Sequence, residues 1–271
     1  MQAAGPKWRP ARSGCYDRGM TDKRLDHTPQ AVSPPGSPAT RRLAAVMRPI
    51  PLPPLAVGVY GITAICGMLD AASFLGLGHV FVEIMTGNIV LLAFTVGAGD
   101  VPGLVPALRG GVLPYVVALA CFAAGAVAGG RLVRAGEPGR RAGFASDAGL
   151  IGIAALAVAL THPGPDDRAR YLVTGILAFA MGIQNALLRR WGIRDLATNV
   201  MTLTLTGLLA ESTLGGGANP RAVRRGASIV IFAVSATAGA AMTRYGVLWP
   251  ILASFTVFVL ALPILMQPSG T

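Results

Sequence analysis

The sequence predicts an all-α membrane protein of about six transmembrane helices plus two re-entrant or broken helical segments, built as two inverted repeats. Three observations predict it. First, apolar residues make up 53% of the 271-residue chain and charged residues 13%, with a mean hydropathy of +0.58. A soluble domain carries about 25% charged residues. Halving that share while raising the apolar content indicates a bilayer as the solvent. Second, the charges are gathered between apolar runs, as a bilayer requires. Third, one polar pattern occurs twice. Gly67-Met68-Leu69-Asp70-Ala71, followed by Met85-Thr86-Gly87-Asn88, returns as Gly182-Ile183-Gln184-Asn185-Ala186, followed by Met201-Thr202-Leu203-Thr204.

Residues 1–48 differ from the rest. Lys7, Arg9, Arg12, Arg18, Lys23, Arg24, Arg41, Arg42 and Arg48 are spaced by Pro, Ser and Gly. Such a segment cannot bury enough apolar surface to fold, so it reads as a disordered basic cytoplasmic tail. It lacks the apolar core of a cleavable signal peptide. Met20 and Met47 are alternative starts. Pro49, Pro51, Pro53 and Pro54 stiffen the approach to the first membrane helix. Residues 49–266 read as one polytopic membrane domain, with repeat one at 55–162 and repeat two at 171–266.

Eight apolar runs follow: Leu55–Leu77, Val80–Gly97, Val112–Gly130, Ala148–Thr161, Tyr171–Leu188, Leu196–Leu214, Gly226–Thr243 and Val247–Met266. Charge decides which of them cross. If all eight span and the tail is cytoplasmic, the loop from Arg131 to Asp147 falls outside, as does the segment with Arg189, Arg190 and Arg194. Basic residues favour the cytoplasmic side. If Val80–Gly97 and Leu196–Leu214 return to their own side, those segments become cytoplasmic together with Arg221, Arg224 and Arg225. Arg109, Arg168, Arg170, Arg244 and the Asp166-Asp167 pair then remain outside. The two non-crossing runs are also the most polar, with Glu83, Thr86 and Asn88 in one and Thr198, Asn199, Thr202, Thr204, Thr206 and Glu211 in the other. Polar, irregular backbone is tolerated at membrane depth where protein or a cavity surrounds it.

Three spans per half is an odd number, so the second half enters inverted. Further matches accompany the main pair: Gly61-Ile62 with Gly175-Ile176, Leu91-Leu92-Ala93 with Leu208-Leu209-Ala210, Ala124-Gly125-Ala126 with Ala238-Gly239-Ala240, and Arg131 with Arg244. Gly125 and Gly129 form a Gly-x-x-x-Gly, which lets helix backbones approach. It serves packing within the bundle or a homodimer interface.

Asp70 is the leading site residue. A carboxylate at the centre of a membrane helix costs at least about 2.5 kcal/mol. It faces the interior, pairs with a donor, or keeps its proton. Either it forms a proton- or cation-responsive site, or it accepts hydrogen bonds from the Thr86/Asn88 elbow. Its counterpart is Asn185, preceded by Gln184, and the two halves would bring Asp70 and Asn185 to one site near the pseudo-twofold axis. Thr86-Gly87-Asn88 has the chemistry of a helix start, whose free N–H groups attract an anion. In the second copy Thr202, Thr204 and Thr206 replace it, or simply bond back to their own helix. Glu83 and Glu211 read as interfacial. Arg189-Arg190-Trp191 reads as an anchor at the headgroups, and Trp249 as its equivalent on the other side.

Several classes are disfavoured. The net charge of +11 is accounted for by topology-setting loops, so no nucleic-acid partner is expected. Cys15, Cys66 and Cys121, and His27, His79 and His162, have no ligand spacing, so no metal, cofactor or disulfide framework is expected. No paired carboxylates or His/Cys groups sit near the elbows, so an intramembrane enzyme is disfavoured.

The run Gly67-x-x-Asp70-Ala71 with Phe74-Leu75, then Met85-Thr86-Gly87-Asn88 with Leu91-Leu92, resembles the YoaK-like family of bacterial membrane proteins, a family of unknown function. Its second signature resembles Met181-Gly182-Ile183-Gln184-Asn185-Ala186 and Thr198-Asn199-Val200-Met201-Thr202. The resemblance covers residues 55–266 and departs at Thr204-Leu205-Thr206-Gly207, which lacks a polar residue after the threonines. It implies a bacterial inner-membrane protein and supplies no activity. The residues then favour a secondary transporter or channel for a small solute or ion, proton included, with Asp70, Thr86, Asn88, Gln184, Asn185 and Thr202 as the site. The alternative is a non-transporting scaffold or sensor.

Overall fold

A computed structural model describes residues 54–97, 111–164, 167–191, 201–218 and 221–267. The basic tail, Arg109, Asp166, Arg194, Thr198 and Asn199 lie outside the described residues. Among the described residues eight α-helices follow one another: α1 Pro54–Gly76, α2 Met85–Gly97, α3 Leu113–Arg134, α4 Gly136–Thr161, α5 Ala169–Trp191, α6 Met201–Ala210, α7 Ala222–Thr243 and α8 Leu248–Leu265. Six of them are long and apolar enough to cross a membrane, α2 and α6 being the exceptions. Those two have 13 and 10 residues, so they reach about 20 and 15 Å, short of a hydrocarbon core of about 30 Å.

The expected loop between Arg131 and Asp147 is helical. Only Ala135 separates α3 from α4, and Gly136 makes the reversal at φ +70°, a value that favours a residue without Cβ. Arg140, Arg141 and Asp147 therefore stand on α4, whose 26 residues extend about 39 Å. The length exceeds the apolar core, so the first turns carry charge without leaving the helix. The buried residues Phe144, Ala148, Ile151, Ala155 and Val158 keep helical spacing through this stretch. Arg140 is itself buried and bonds Glu137 at 2.7 Å and the Gln267 carbonyl, tying the start of α4 to the end of α8.

Close glycine contacts fix the helix directions. Gly125 and Gly129 on α3 meet Phe179 and Ile183 on α5, so these helices run parallel. Gly67 and Gly76 on α1 meet Ser235 and Thr243 on α7, another parallel pair. Gly58 and Gly61 meet Leu265 and Ala261, so α8 runs against α1. Gly143 meets Leu187, so α4 runs against α5. Along the chain the long helices α1, α3 and α4 go up, down and up. Then α5, α7 and α8 go down, up and down. Because α1 ends where α3 begins, and α5 ends where α7 begins, neither α2 nor α6 makes a net crossing.

The main contacts map onto themselves when α1–α4 are exchanged with α5–α8. The pair α3/α5 matches α7/α1, α4/α5 matches α8/α1, α3/α4 matches α7/α8, and α2/α3 matches α6/α7. The innermost helices are α1 and α5, whose apolar windows are 67% and 72% buried, against 17% for both α3 and α7. Gly239 packs on Met68 and Ala71, and Gly129 packs on Ile183 and Ala186. Under that exchange of helices Gly129, about one turn beyond Gly125, takes the place of Gly239. Gly125 and Gly129 both pack against α5 of the same chain.

Nine of the twelve described arginines sit at the face where α1 begins: Arg131, Arg134, Arg140, Arg141, Arg189, Arg190, Arg221, Arg224 and Arg225. Arg168, Arg170 and Arg244 sit at the opposite face. Cysteines placed at the exposed positions Arg141 and Ala218 are expected to react with an impermeant maleimide from one side of the membrane, and a cysteine at Tyr245 from the other. Labelling of Arg141→Cys and Ala218→Cys from opposite sides overturns these directions.

Candidate functional site

The site is built where α1 hands over to α2. Gly78 and His79 both adopt left-handed backbone, φ +103° and 59°, and turn the chain back on itself. A Cβ on Gly78 would lie 2.8 Å from the Arg170 guanidinium, so glycine also allows that close approach. The returning connector buries Leu77, Val80 and Val82 completely. Its backbone polar groups need partners at such depth. Asp70 supplies one: its Oδ1 accepts the N–H groups of Val82 at 3.0 Å and Glu83 at 2.9 Å. Asn88 supplies the other. Its Oδ1 accepts from the Phe81 N–H at 2.9 Å, and its Nδ2 donates to the Phe81 carbonyl at 2.7 Å. The Phe81 ring stacks on Phe74 with centroids 4.7 Å apart.

Asp70 is six residues before the end of α1, about 9 Å in from that end. The connector returns to this depth, so α2 starts level with Asp70. Asn88 lies within its first turns and reaches back to the connector instead of capping the helix. Glu83, expected at the interface, is buried with 3% exposure and interacts electrostatically with Asp70. The reason is the reversal: a residue beyond the end of α1 in sequence comes back level with Asp70 in space. Glu211 does lie exposed, with its carboxylate 2.8 Å from Arg225, which also donates to the Gly207 carbonyl at the end of α6.

The starts of the two short helices face one cavity of about 350 Å³. Glu83, Ile84, Met85 and Thr86 line it from the first half, and Met201 and Thr202 from the second. Phe122 of α3 and Phe232 of α7 complete the wall. Thr86 and Thr202 are thus brought together. The Thr206 hydroxyl bonds back to the Thr202 carbonyl at 2.8 Å, as a helical threonine can.

The other sequence-selected residues are placed elsewhere. Gln184 is fully buried and donates to the Cys66 sulfur at 3.2 Å, joining α5 to α1. Asn185 donates to the Met181 carbonyl at 2.9 Å and lines a different cavity with Arg189 and Arg190. Asp70 turns to the connector and Asn185 to that second cavity. Two buried carboxylates were not read as site residues from the sequence. Glu83, read as interfacial, lines the cavity at the starts of α2 and α6, and no local signal distinguishes it from an interfacial glutamate. Asp147 is fully buried on α4, with neither oxygen hydrogen-bonded among the described residues. The helical spacing of its apolar neighbours was the available signal.

Six apolar helices of bilayer length, with two short ones beside them, define a multi-pass helical membrane protein. The family described as "Protein of unknown function (DUF1275)" matches residues 59–264, and the chain belongs to it. This agrees with the resemblance drawn from the Asp70 and Asn185 motifs. No curated protein and no solved structure matches the chain.

Proposed function

We propose that the protein carries a small solute or ion across the bacterial inner membrane by alternating access, and that it is not an enzyme. The central cavity is the binding site. The observation that carries this reading is the cavity itself: it joins the starts of α2 and α6, one from each half, around the buried carboxylate of Glu83. Two half-length helices whose starts share one polar cavity resemble the broken helices of secondary transporters. The halves are read as inverted repeats, supported by their opposite directions and exchangeable contacts. The arginine-rich face is read as cytoplasmic, with the N-terminus on that side. Glu83 beside Asp70 favours a proton or a cationic group as part of the cargo, because two neighbouring carboxylates in a low-dielectric interior are stabilised by either.

A scaffold or sensor role is the second reading. It is favoured by Asp70 and Asn88, whose hydrogen bonds hold the connector. Proteoliposomes separate the two. Proton flux is followed with a trapped pH dye, and uptake is measured for a panel of labelled amines, amino acids and organic acids. The transport reading expects saturable uptake of at least one probe, reduced about tenfold or more by Glu83→Gln, with little change in melting temperature. No flux of any probe in the parent, with Glu83→Gln altering only stability, decides for the scaffold.

A further inference from the structure

The second cavity has a chemistry of its own. It lies between the parallel helices α3 and α5 and measures about 560 Å³. Its polarity is ordered along the membrane normal. The deep end is apolar, with Phe122 and Ala126. Asn185 comes next, and Arg189 and Arg190 stand at the rim a turn further on. Arg131 and Arg134 end α3 at the same face and add to the positive field. Asn185 is 6% exposed, and its Nδ2 is committed to the Met181 carbonyl. Its Oδ1 accepts no hydrogen bond among the described residues.

A matching ligand has three parts in this order: an apolar chain, a hydrogen-bond donor and an anion. Inorganic phosphate has only the last. A diacyl phospholipid has esters where the donor is required. A lysophospholipid has all three, because its free glycerol hydroxyl lies between the acyl chain and the phosphate. We propose that this cavity binds one anionic lysophospholipid. Arg189 and Arg190 hold the phosphate through charge-assisted hydrogen bonds, the hydroxyl donates to Asn185 Oδ1, and the chain lies along Phe122 and Ala126. Basic pockets between membrane helices select anionic headgroups on the same physical grounds. The site shares Phe122 with the cavity at the starts of α2 and α6 but none of that cavity's polar lining, and it does not depend on transport.

Gly130 allows a direct test. It lines the cavity, and a Cβ there would meet nothing within 4 Å. Gly130→Leu therefore fills the site without disturbing the helix pair and leaves both arginines in place. Native mass spectrometry of the full chain in detergent, with lysophosphatidylglycerol added, is expected to show one retained lipid. Gly130→Leu and the Arg189→Ala/Arg190→Ala double variant are each expected to reduce retention about tenfold, and Arg189→Lys/Arg190→Lys to keep most of it. Diacyl phosphatidylglycerol is expected to bind more weakly, and inorganic phosphate not to compete. Retention that Gly130→Leu leaves unchanged reduces the arginines to a general headgroup anchor and overturns the site. Equal retention of the diacyl lipid, competition by phosphate, or no retained lipid overturns it as well.

Discussion

Gly182→Val is expected to prevent assembly of a stable bundle. A Cβ at Gly182 would overlap the Phe122 carbonyl and sit 2.7 Å from the Ala126 nitrogen. Both are backbone atoms of α3, so no side chain can swing away to make room. Relief requires α3 and α5 to separate along their whole contact, which removes close packing between parallel helices. Overpacking in a core costs about 1–3 kcal/mol when side chains can adjust, and more is expected here, where they cannot. Thermal unfolding followed by size-exclusion chromatography is expected to show a fall in melting temperature of about 10 °C or no monodisperse protein at all. Gly67→Val is expected to behave alike, because its Cβ would lie 2.6 Å from the Phe232 carbonyl on α7. Gly149→Ala is the control, since nothing lies within 4 Å of that position. A Gly182→Val protein that melts with the parent contradicts the parallel α3/α5 contact.

Asp70→Ala and Asp70→Asn are expected to part company. Asn keeps an Oδ1 that accepts from Val82 and Glu83, so the connector stays in place. Ala removes the acceptor and leaves two buried N–H groups without a partner. Each such loss costs about 1–3 kcal/mol, so Asp70→Ala is expected to be less stable by about 2–6 kcal/mol. The local readout is a cysteine at Val80, fully buried in the parent. It is expected to resist a small thiol reagent in the Asp70→Asn background and react in the Asp70→Ala background. Equal reactivity in both would show that Asp70 does not hold the connector. The same pair bears on function. If cargo movement needs a carboxylate beside Glu83, Asp70→Asn changes the pH dependence of flux while leaving stability near the parent. If Asp70 only clamps the connector, Asp70→Asn leaves the flux profile unchanged.

The membrane class, the six long helices and the non-crossing character of the two short ones were legible in the sequence. Each follows from a property carried by neighbouring residues. An apolar stretch such as Leu248–Leu265 must leave water whatever it packs against, and arginines such as Arg189 and Arg190 must stay near it. The start of α4 was less legible because Arg140, Arg141 and Asp147 lower the local hydropathy of a segment that is nonetheless helical. Hydropathy measures affinity for lipid and does not measure whether backbone hydrogen bonds continue.

The candidate site was legible in part. The repeated motifs drew attention to Thr86 and Thr202, and the fold sets both on one cavity. They also drew attention to Asp70 and Asn88, whose visible partners are the backbone of residues 81–83. Neither Glu83 nor the separation of Asn185 from the central cavity could be read from spacing.

By itself the sequence determined the solvent this protein lives in, the helices that cross it and the motifs that punctuate them. Those properties are local, set by side chains within a turn or two of one another. Only the tertiary structure decided which residues share a cavity and which helices the glycines pack against. Those outcomes rest on the reversal at Gly78-His79, and on contacts such as Gly182 with Phe122 and Gly239 with Met68. Residues so far apart along the chain meet only when backbone sterics bring whole helices into register. A slip of four residues leaves the apolar pattern nearly unchanged but moves every contact by one turn.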